Sequence, residues 1–234
     1  MKNPDAIVIG AGLVGACSAL SLVNAGLRVL VLDRGPVASG TTGAGEGNIL
    51  VSDKEPSAEL TLALRSRDAW FEINTDIGGG FELEDKGGVV VSRSEKGISD
   101  LKKLSAIQAQ HGIEVVELDA KGVKAIEPHI SDSVEYAVLY PQDAQCQPML
   151  AAAQIMRAVK KRGGAFIQGE NVKSINVKSG KVVGLTTQKN TYACPIVINA
   201  TGTWAGEIAK MAGSYLPIMP RRGFILVTAP APKI

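Results

Sequence analysis

The apolar positions alternate between strand-like and helix-like spacing at the start of the chain and become strand-rich further on. Asp5 to Ile9 is a short apolar run stopping at Gly10, as in a strand buried on both faces. Gly12 to Asn24 predicts a helix, closed by Ala25-Gly26, and Arg28 to Leu32 predicts a second buried strand that Asp33 ends. Gly35 to Asn48 is rich in Gly, Ser and Thr and long for a structureless loop, so it is expected to be functional or disordered. Helical spacing returns over Ser57 to Thr75, with Leu60, Leu64, Trp70 and Phe71 as its apolar positions. A strand over Phe81 to Ser92, a helix over Glu95 to Gln110 capped by Ser94, and a strand over Val115 to Leu118 follow. Asp119 opens a short helix ending at Pro128, and Val134 to Tyr140 reads as a strand.

Pro148 to Arg162 is a helix with proline in its first turn and Gly163-Gly164 at its end. Strands follow over Ala165 to Gln168, Val172 to Val177 and Val182 to Gln188, the last two joined at Ser179-Gly180 as a hairpin. Pro195 to Asn199 is a buried strand running into Ala200-Thr201-Gly202 and a helix through Met211, and Gly223 to Thr228 is the last strand.

Composition narrows the class. The chain has 234 residues, 45% hydrophobic and 21% charged, enough to bury a globular core. Net charge is +2, from 25 basic against 23 acidic residues, so nothing draws it to nucleic acid or lipid headgroups. Three cysteines, Cys17, Cys146 and Cys194, form no disulfide framework, and two histidines, His111 and His129, supply a zinc site poorly, so no metal is expected. The apolar stretch from Ala6 to Leu32 is broken by glycines, Asn24 and Arg28, which excludes a membrane span, and a strand starting at Asp5 leaves no room for a signal peptide. A cytoplasmic location is expected.

The chemistry centres on Gly10, Ala11, Gly12, Leu13, Val14 and Gly15, between the first strand and helix. Gly10 permits a tight turn, Gly12 lets backbone approach a pyrophosphate, and Gly15 lets the helix lie close to the strand. The pyrophosphate then meets free N–H groups at a helix start, where the dipole favours negative charge. Asp33 ends the second strand, where a carboxylate accepts ribose hydroxyls and repels a ribose phosphate, so NADP is disfavoured. Three features favour FAD over NAD. The loop Ala38-Ser39-Gly40-Thr41-Thr42 through Gly47-Asn48-Ile49 offers small residues and hydroxyls to phosphates and a flat ring. The strand ending at Asn199 brings a second glycine turn, Ala200-Thr201-Gly202-Thr203-Trp204, to the same cofactor. Val172 is placed to meet adenine through its backbone.

The order GAGLVG, VLVLDRG, ASGTTGAGEGNI, YPQDAQCQP, GENVKSINV and VINATGTWAGEI resembles the D-amino-acid oxidase superfamily of FAD proteins across essentially the whole chain. The branches most alike are glycine oxidase, the sarcosine oxidase beta-subunit, hydrogen cyanide synthase and D-hydroxyproline dehydrogenase. The resemblance implies an α/β fold: a Rossmann-type, glutathione reductase-like FAD-binding domain (1–80 and 148–212) with an inserted α+β substrate domain on a mixed sheet (81–147 and 213–234). It implies that Gly10 to Gly15 hold pyrophosphate, that Asp33, with Arg34 beside it, holds the adenosine ribose, and that Val172 meets adenine. Ser39, Gly40, Thr41, Thr42, Gly47, Asn48 and Ile49 line the phosphates and isoalloxazine, and Ala200, Thr201, Gly202 and Trp204 close the site. Family members continue past residue 234, so the chain is expected to be incomplete at its carboxy-terminal end, lacking the arginine that pairs with a substrate carboxylate. Glu46 departs from the pattern, as a solvent-facing acid or one that favours an amine cation.

The implied activity is oxidation of the C–N bond of a small amine or amino acid of the glycine, sarcosine, D-proline or D-hydroxyproline type by hydride transfer to flavin. The alternative is a FAD-binding subunit without turnover of its own, needing a partner chain or electron acceptor. A flavoenzyme for another substrate, such as glycerol phosphate or a modified tRNA base, and an NAD-dependent dehydrogenase are the other rivals. Asn48 is the candidate polar group near the reacting centre, or else a turn residue. Tyr140 faces substrate or packs plainly within its strand. Arg221 and Arg222 bind a carboxylate or lie at a surface edge.

Overall fold

A computed structural model describes residues 3–227 and 229. In chain order its elements are β1 (Ala6–Ile9), α1 (Leu13–Asn24), β2 (Val29–Asp33), β3 (Asn48–Ile49), α2 (Ala58–Ile77), β4 (Gly88–Ser92), α3 (Glu95–Ala109), β5 (Val116–Asp119) and α4 (Ala120–Ile126). They continue with β6 (Tyr136–Tyr140), β7 (Ala144–Gln145), α5 (Pro148–Lys161), β8 (Ala165–Gln168), β9 (Val172–Lys178), β10 (Lys181–Thr187), β11 (Thr191–Ala193), β12 (Val197–Asn199) and α6 (Ala205–Met211).

The chain divides into two compact units, Met1–Glu46 with Gln147–Ile225, and Gly47–Cys146 with Leu226–Ile234. In the first, a four-stranded sheet runs β12-β1-β2-β8, and all its pairings are parallel. Every residue of β1 is buried, and so are Val29 to Leu32 of β2, because both sheet faces are covered. Ile7, Ile9, Leu30 and Leu32 share one cluster with Val172, Ile175, Leu185 and Cys194, so the antiparallel sheet β11-β10-β9 covers that face. Alternation turns Val8 and Val31 the other way. The helices α1 and α5 pack together there, α1 burying Gly15, Ala16, Ala19, Leu20 and Val23.

The second unit holds the antiparallel sheet β4-β6-β5. Tyr136, Val138 and Tyr140 of β6 pack with Leu60 of α2 and Leu101 of α3, while Ala137 packs with Val123 of α4. A two-stranded antiparallel sheet pairs β3 with β7. Among the described residues no parallel pairing joins these strands, so the mixed sheet implied by the resemblance is represented only by antiparallel pairs.

The structure departs from expectation in four places, each for a local reason. The first unit breaks at Glu46 rather than 80, because Val51 and Leu60 lie in the core of β6, and residues 213–225 group with the first unit. The strand expected from Phe81 begins only at Gly88: Glu82 and Gly87 take positive φ, and Phe81 is wholly buried with its ring 5.8 Å from Trp70. The strand expected over Gly223 to Thr228 is absent from 223–227, and Thr228 lies outside the described residues. Phe224 to Val227 have strand-forming side chains, but a strand exists only where a neighbour supplies hydrogen bonds. The pairs made by β7 and β11 are too short for periodicity to register. No helix among the described residues is long and apolar enough to cross a membrane.

Ile7 is fully buried in the central strand β1. Ile7→Ala is expected to lower unfolding free energy by about 2–5 kcal/mol. Urea denaturation followed by circular dichroism checks this, and a loss below about 1 kcal/mol contradicts the burial of β1 between two layers.

Candidate functional site

Three loops meet where β1, β2 and β12 end. Gly10 has φ 108°, and a Cβ there would stand 2.3 Å from the Ala200 carbonyl oxygen. A Cβ on Gly15 would stand 1.9 Å from the carbonyl oxygen of Gly10, so the helix lies on the turn backbone to backbone. On Gly12 it would lie 2.9 Å from the Thr42 hydroxyl. Gly10 and Gly15 are therefore restricted to glycine by backbone contact, while a side chain at Gly12 would push the Thr42 hydroxyl aside.

Asp33 ties the loops together. One carboxylate oxygen accepts the Ala11 N–H at 2.7 Å and the other accepts the Gly35 N–H at 2.8 Å. The Ala38 N–H donates to the Ala11 carbonyl at 3.0 Å, with Ala38 itself at φ 62°. A carboxylate offers about four acceptor positions, so each oxygen keeps one for a further donor.

Helix α1 starts without a capping side chain of its own and without an acid in its first turn. Thr42, in a 3₁₀ turn over Thr41–Ala44, accepts the Leu13 N–H at 3.0 Å from a loop 29 residues away. The next amides of that turn have no intrahelical acceptor, and the dipole adds positive character, so the helix start suits an anion.

The third loop is held by Asn199. Its Oδ1 accepts the Thr201 hydroxyl at 2.7 Å, and its Nδ2 donates to the Ala205 carbonyl at 2.8 Å. Gly202 turns at φ 57°, and Ala200 N–H returns to the Ile9 carbonyl at 2.9 Å. Trp204 then lies under the Arg34 guanidinium at 4.1 Å, so the β2 and β12 loops also meet by cation–π stacking.

Beyond Asp33, its carbonyl accepts the Glu170 N–H at 2.9 Å. Glu170 is buried, and its carboxylate accepts from the Thr187 hydroxyl, from Asn190 Nδ2 at 2.8 Å and from the Tyr192 hydroxyl at 3.3 Å. Burial opposes the charge, but these donors and the Lys189 charge together hold the acid below the usual glutamate range.

The family model for FAD dependent oxidoreductase matches residues 5–234. The chain belongs to that family. Anaerobic glycerol-3-phosphate dehydrogenase subunit A1 of Haloferax volcanii is 28% identical over 97% of this chain and 41% of its own length. Mitochondrial sarcosine dehydrogenase of Mus musculus is 26% identical over 97% of this chain and 26% of its own. The crystal structure of glycine oxidase from Geobacillus kaustophilus superposes with a TM-score of 0.85 at 24% identity, over 91% of this chain and 59% of that one. The chain thus spans less than half the length of these two curated relatives. FAD is the cofactor of this family, and the resemblance to it holds.

Within the family fold, the first unit gathers Gly10 to Gly15, Asp33, Arg34, Ser39 to Thr42, Val172 and Ala200 to Trp204. Val172 is buried, its side chain in the core, so only its backbone is left for a ligand. Gly47, Asn48 and Ile49 belong to the second unit, with Asn48 exposed and paired to Gln145. Tyr140 is fully buried and donates to Gln108 Oε1 at 2.9 Å, which settles it as packing rather than a substrate contact. Arg221 and Arg222 are exposed in irregular chain, Arg222 lying over Phe224 at 5.6 Å, so the strand edge expected for them is absent. The His111 Nδ1 donates to the Ile107 carbonyl at 2.9 Å at the end of α3. The Cys17 thiol is pushed up to about 11 by burial, an inert helix residue. Among the described residues no cluster of His, Cys, Asp or Glu could hold a metal.

Sequence reasoning missed Glu170 and the pair Gln108 and Asp143. Gln108 donates to the Ser52 and Lys54 carbonyls at 3.0 and 2.8 Å, while Asp143 accepts the Val51 N–H at 2.8 Å, which fixes the segment after β3. A buried acid in a turn, or a buried amide near a helix end, looks like a solvated one in sequence, and only the density of polar residues near Glu170, Thr187 to Tyr192, hinted otherwise.

Gly10→Ala is expected to destabilise the first unit by at least about 2 kcal/mol, since it meets backbone at a left-handed φ. Thermal melting measures this, and an unchanged melt contradicts the contact with Ala200. Acid sensitivity follows from two depressed carboxylates. Arg28 holds Asp5 down at about 2, and Glu170 also lies low. A depressed folded value gives stability that is present above the unfolded value and lost as pH falls through the folded one. Urea midpoints are therefore expected to stay level from pH 7 to about 5 and to fall below the ordinary carboxylate values of about 4. A midpoint that rises on acidification contradicts both assignments.

Proposed function

We propose that this chain is the cofactor-holding part of a FAD-dependent oxidoreductase that oxidises the C–N bond of a small amine or amino acid. The observation that carries this reading is the joined seat at the start of α1: two glycines packed against backbone with Gly12 between them, first-turn amides beyond the one Thr42 holds, and Asp33 with an acceptor position left on each oxygen. These residues fit a dinucleotide. The amides of Gly12, Val14 and Gly15 would take the pyrophosphate, the Leu13 amide being held by Thr42, with Asp33 at the adenosine ribose and the Val172 backbone at the adenine. Arg34, Ser39, Gly40, Thr41, Thr42 and the Ala200 to Trp204 loop would close around the phosphates and flavin. For Gly47, Asn48 and Ile49, which belong to the second unit, the family resemblance alone supports roles at the ring and, for the exposed Asn48, toward substrate. Bound FAD would supply a two-electron acceptor for the C–N bond. The protein's part is orientation and a fixed electrostatic frame, with no acid–base pair demanded of this chain.

Sarcosine dehydrogenase among the relatives supports an amine substrate. Glycerol-3-phosphate dehydrogenase subunit A1 supports a second reading, a glycerol phosphate oxidoreductase subunit acting with a partner chain. The three free thiols fit a reducing, cytoplasmic compartment.

The visible spectrum of the purified chain, recorded after FAD addition and then after anaerobic glycine, sarcosine, D-proline, D-hydroxyproline or glycerol 3-phosphate, tests the proposal. Flavin bands that bleach with one amine are the expected result. Bleaching by glycerol 3-phosphate alone replaces the amine reading with the second one. Bands that persist with every compound leave a FAD-binding subunit without turnover of its own, and no bound flavin at all overturns the proposal.

A further inference from the structure

Glu170 is a carboxylate buried to 3% exposure on the cofactor side of the first unit, and no step of the reaction uses it. Its three donors all come from one place, the end of β10 and the turn into β11: Thr187, Asn190 and Tyr192. The same turn is stitched again by backbone and amide groups. Gln188 N–H donates to the Asn171 carbonyl at 3.1 Å, and Gln188 Nε2 donates to the Gly169 carbonyl at 2.8 Å. Thr187 meanwhile accepts the N–H groups of Lys189 and Asn190 at 3.1 and 2.9 Å, and its hydroxyl lies nearer the Glu170 carboxylate than its other acceptor, the Asn190 carbonyl at 3.2 Å. The residue is therefore held from one side by a full set of donors. From the other, its N–H holds the Asp33 carbonyl, and Val172 follows two positions later.

We propose that Glu170 is the positioning residue of the adenosine end, setting the distance between the Asp33 carboxylate and the Val172 backbone before the cofactor arrives. This rests on the FAD reading above and adds to it. The two groups belong to different strands, β2 and β9, and the 169–171 turn between β8 and β9 bears on both. A turn of that kind has many backbone conformations of similar energy. A buried anion with three oriented donors selects one, because every alternative leaves a charge without partners in a dry place. The gain for binding is preorganisation: ribose and adenine contacts form together rather than each ordering its own strand. The effect belongs to the adenosine half of the ligand alone.

Isothermal titration of the full chain with FAD, ADP and FMN, well below the melting temperature, separates positioning from stability. Glu170→Gln keeps the shape but turns an NH₂ toward donors, and it is expected to weaken FAD and ADP by about tenfold while leaving the FMN constant, which reports no adenosine contact, unchanged. The double variant E170Q/N190D restores an amide–carboxylate pair with its polarity reversed and is expected to recover most of the lost FAD affinity. Tyr192→Phe, which removes the longest of the three bonds, is expected to cost less than E170Q. An E170Q chain that is folded and binds FAD and ADP as tightly as the parent overturns the proposal, and so does equal weakening of FMN, which marks a general structural role. A parent chain that binds neither FAD nor ADP removes the FAD reading itself.

Discussion

The carboxylate of Asp33 stands at the end of β2 and takes a backbone N–H on each oxygen, from Ala11 in one loop and Gly35 in another. Bonds of a charged acceptor to amides are among the stronger ones, about 1.5–3 kcal/mol each. The consequence is geometric more than energetic. The glycine turn after β1 and the long loop after β2 cannot move apart, and Ala38 closes the same ring through the Ala11 carbonyl. The loop then delivers Thr42 to the first amide of α1, so the helix is capped by a residue that Asp33 has indirectly put in place.

What the polar bonds draw together, the glycines allow to touch. Gly10 lies under the Ala200 carbonyl and Gly15 lies against Gly10, distances at which any side chain collides with backbone. Loops from β1, β2 and β12 thereby converge at the carboxyl ends of parallel strands, where open α/β sheets bind ligands. The aliphatic strands below set the positions of those ends. The hairpin β9–β10 covering their other face begins at Val172, just after Glu170 in the turn that follows β8, so the core packing also fixes one end of that turn.

Much of this is legible in the chain itself. The run from Ala6 to Leu32 shows buried strand, glycine turn, helix and buried strand because each requirement is local: apolar runs, glycines at fixed offsets, an acid at a strand end. Ser94 and Asp119 as helix caps are readable for the same reason, and both accept the N–H three residues on. Contacts set by tertiary structure are not readable. Nothing near Asp33 says that its carboxylate binds amides of two loops, and nothing near Thr42 says that it caps a helix that begins at Leu13. Glu170 and Asp143 sit in polar turns, and Gln108 in the last turn of α3, where buried and solvated polar residues have the same pattern. The apolar run at Phe224 to Val227 errs the other way, since its periodicity is local whereas a strand needs a neighbour. Asn48 marks the boundary: its place beside Gln145 on β3 comes only from the fold.

The most direct test of this account is the FAD affinity of the chain with Asp33→Asn, measured by quenching of flavin fluorescence against the parent at neutral pH. The substitution leaves one neutral acceptor where two charged ones stood and removes the carboxylate proposed to take the ribose. The account predicts binding weaker by about a hundredfold or more, from the loss of two charge-assisted bonds. FAD held as tightly by the variant as by the parent contradicts it, and would place the cofactor away from the loops that Asp33 joins.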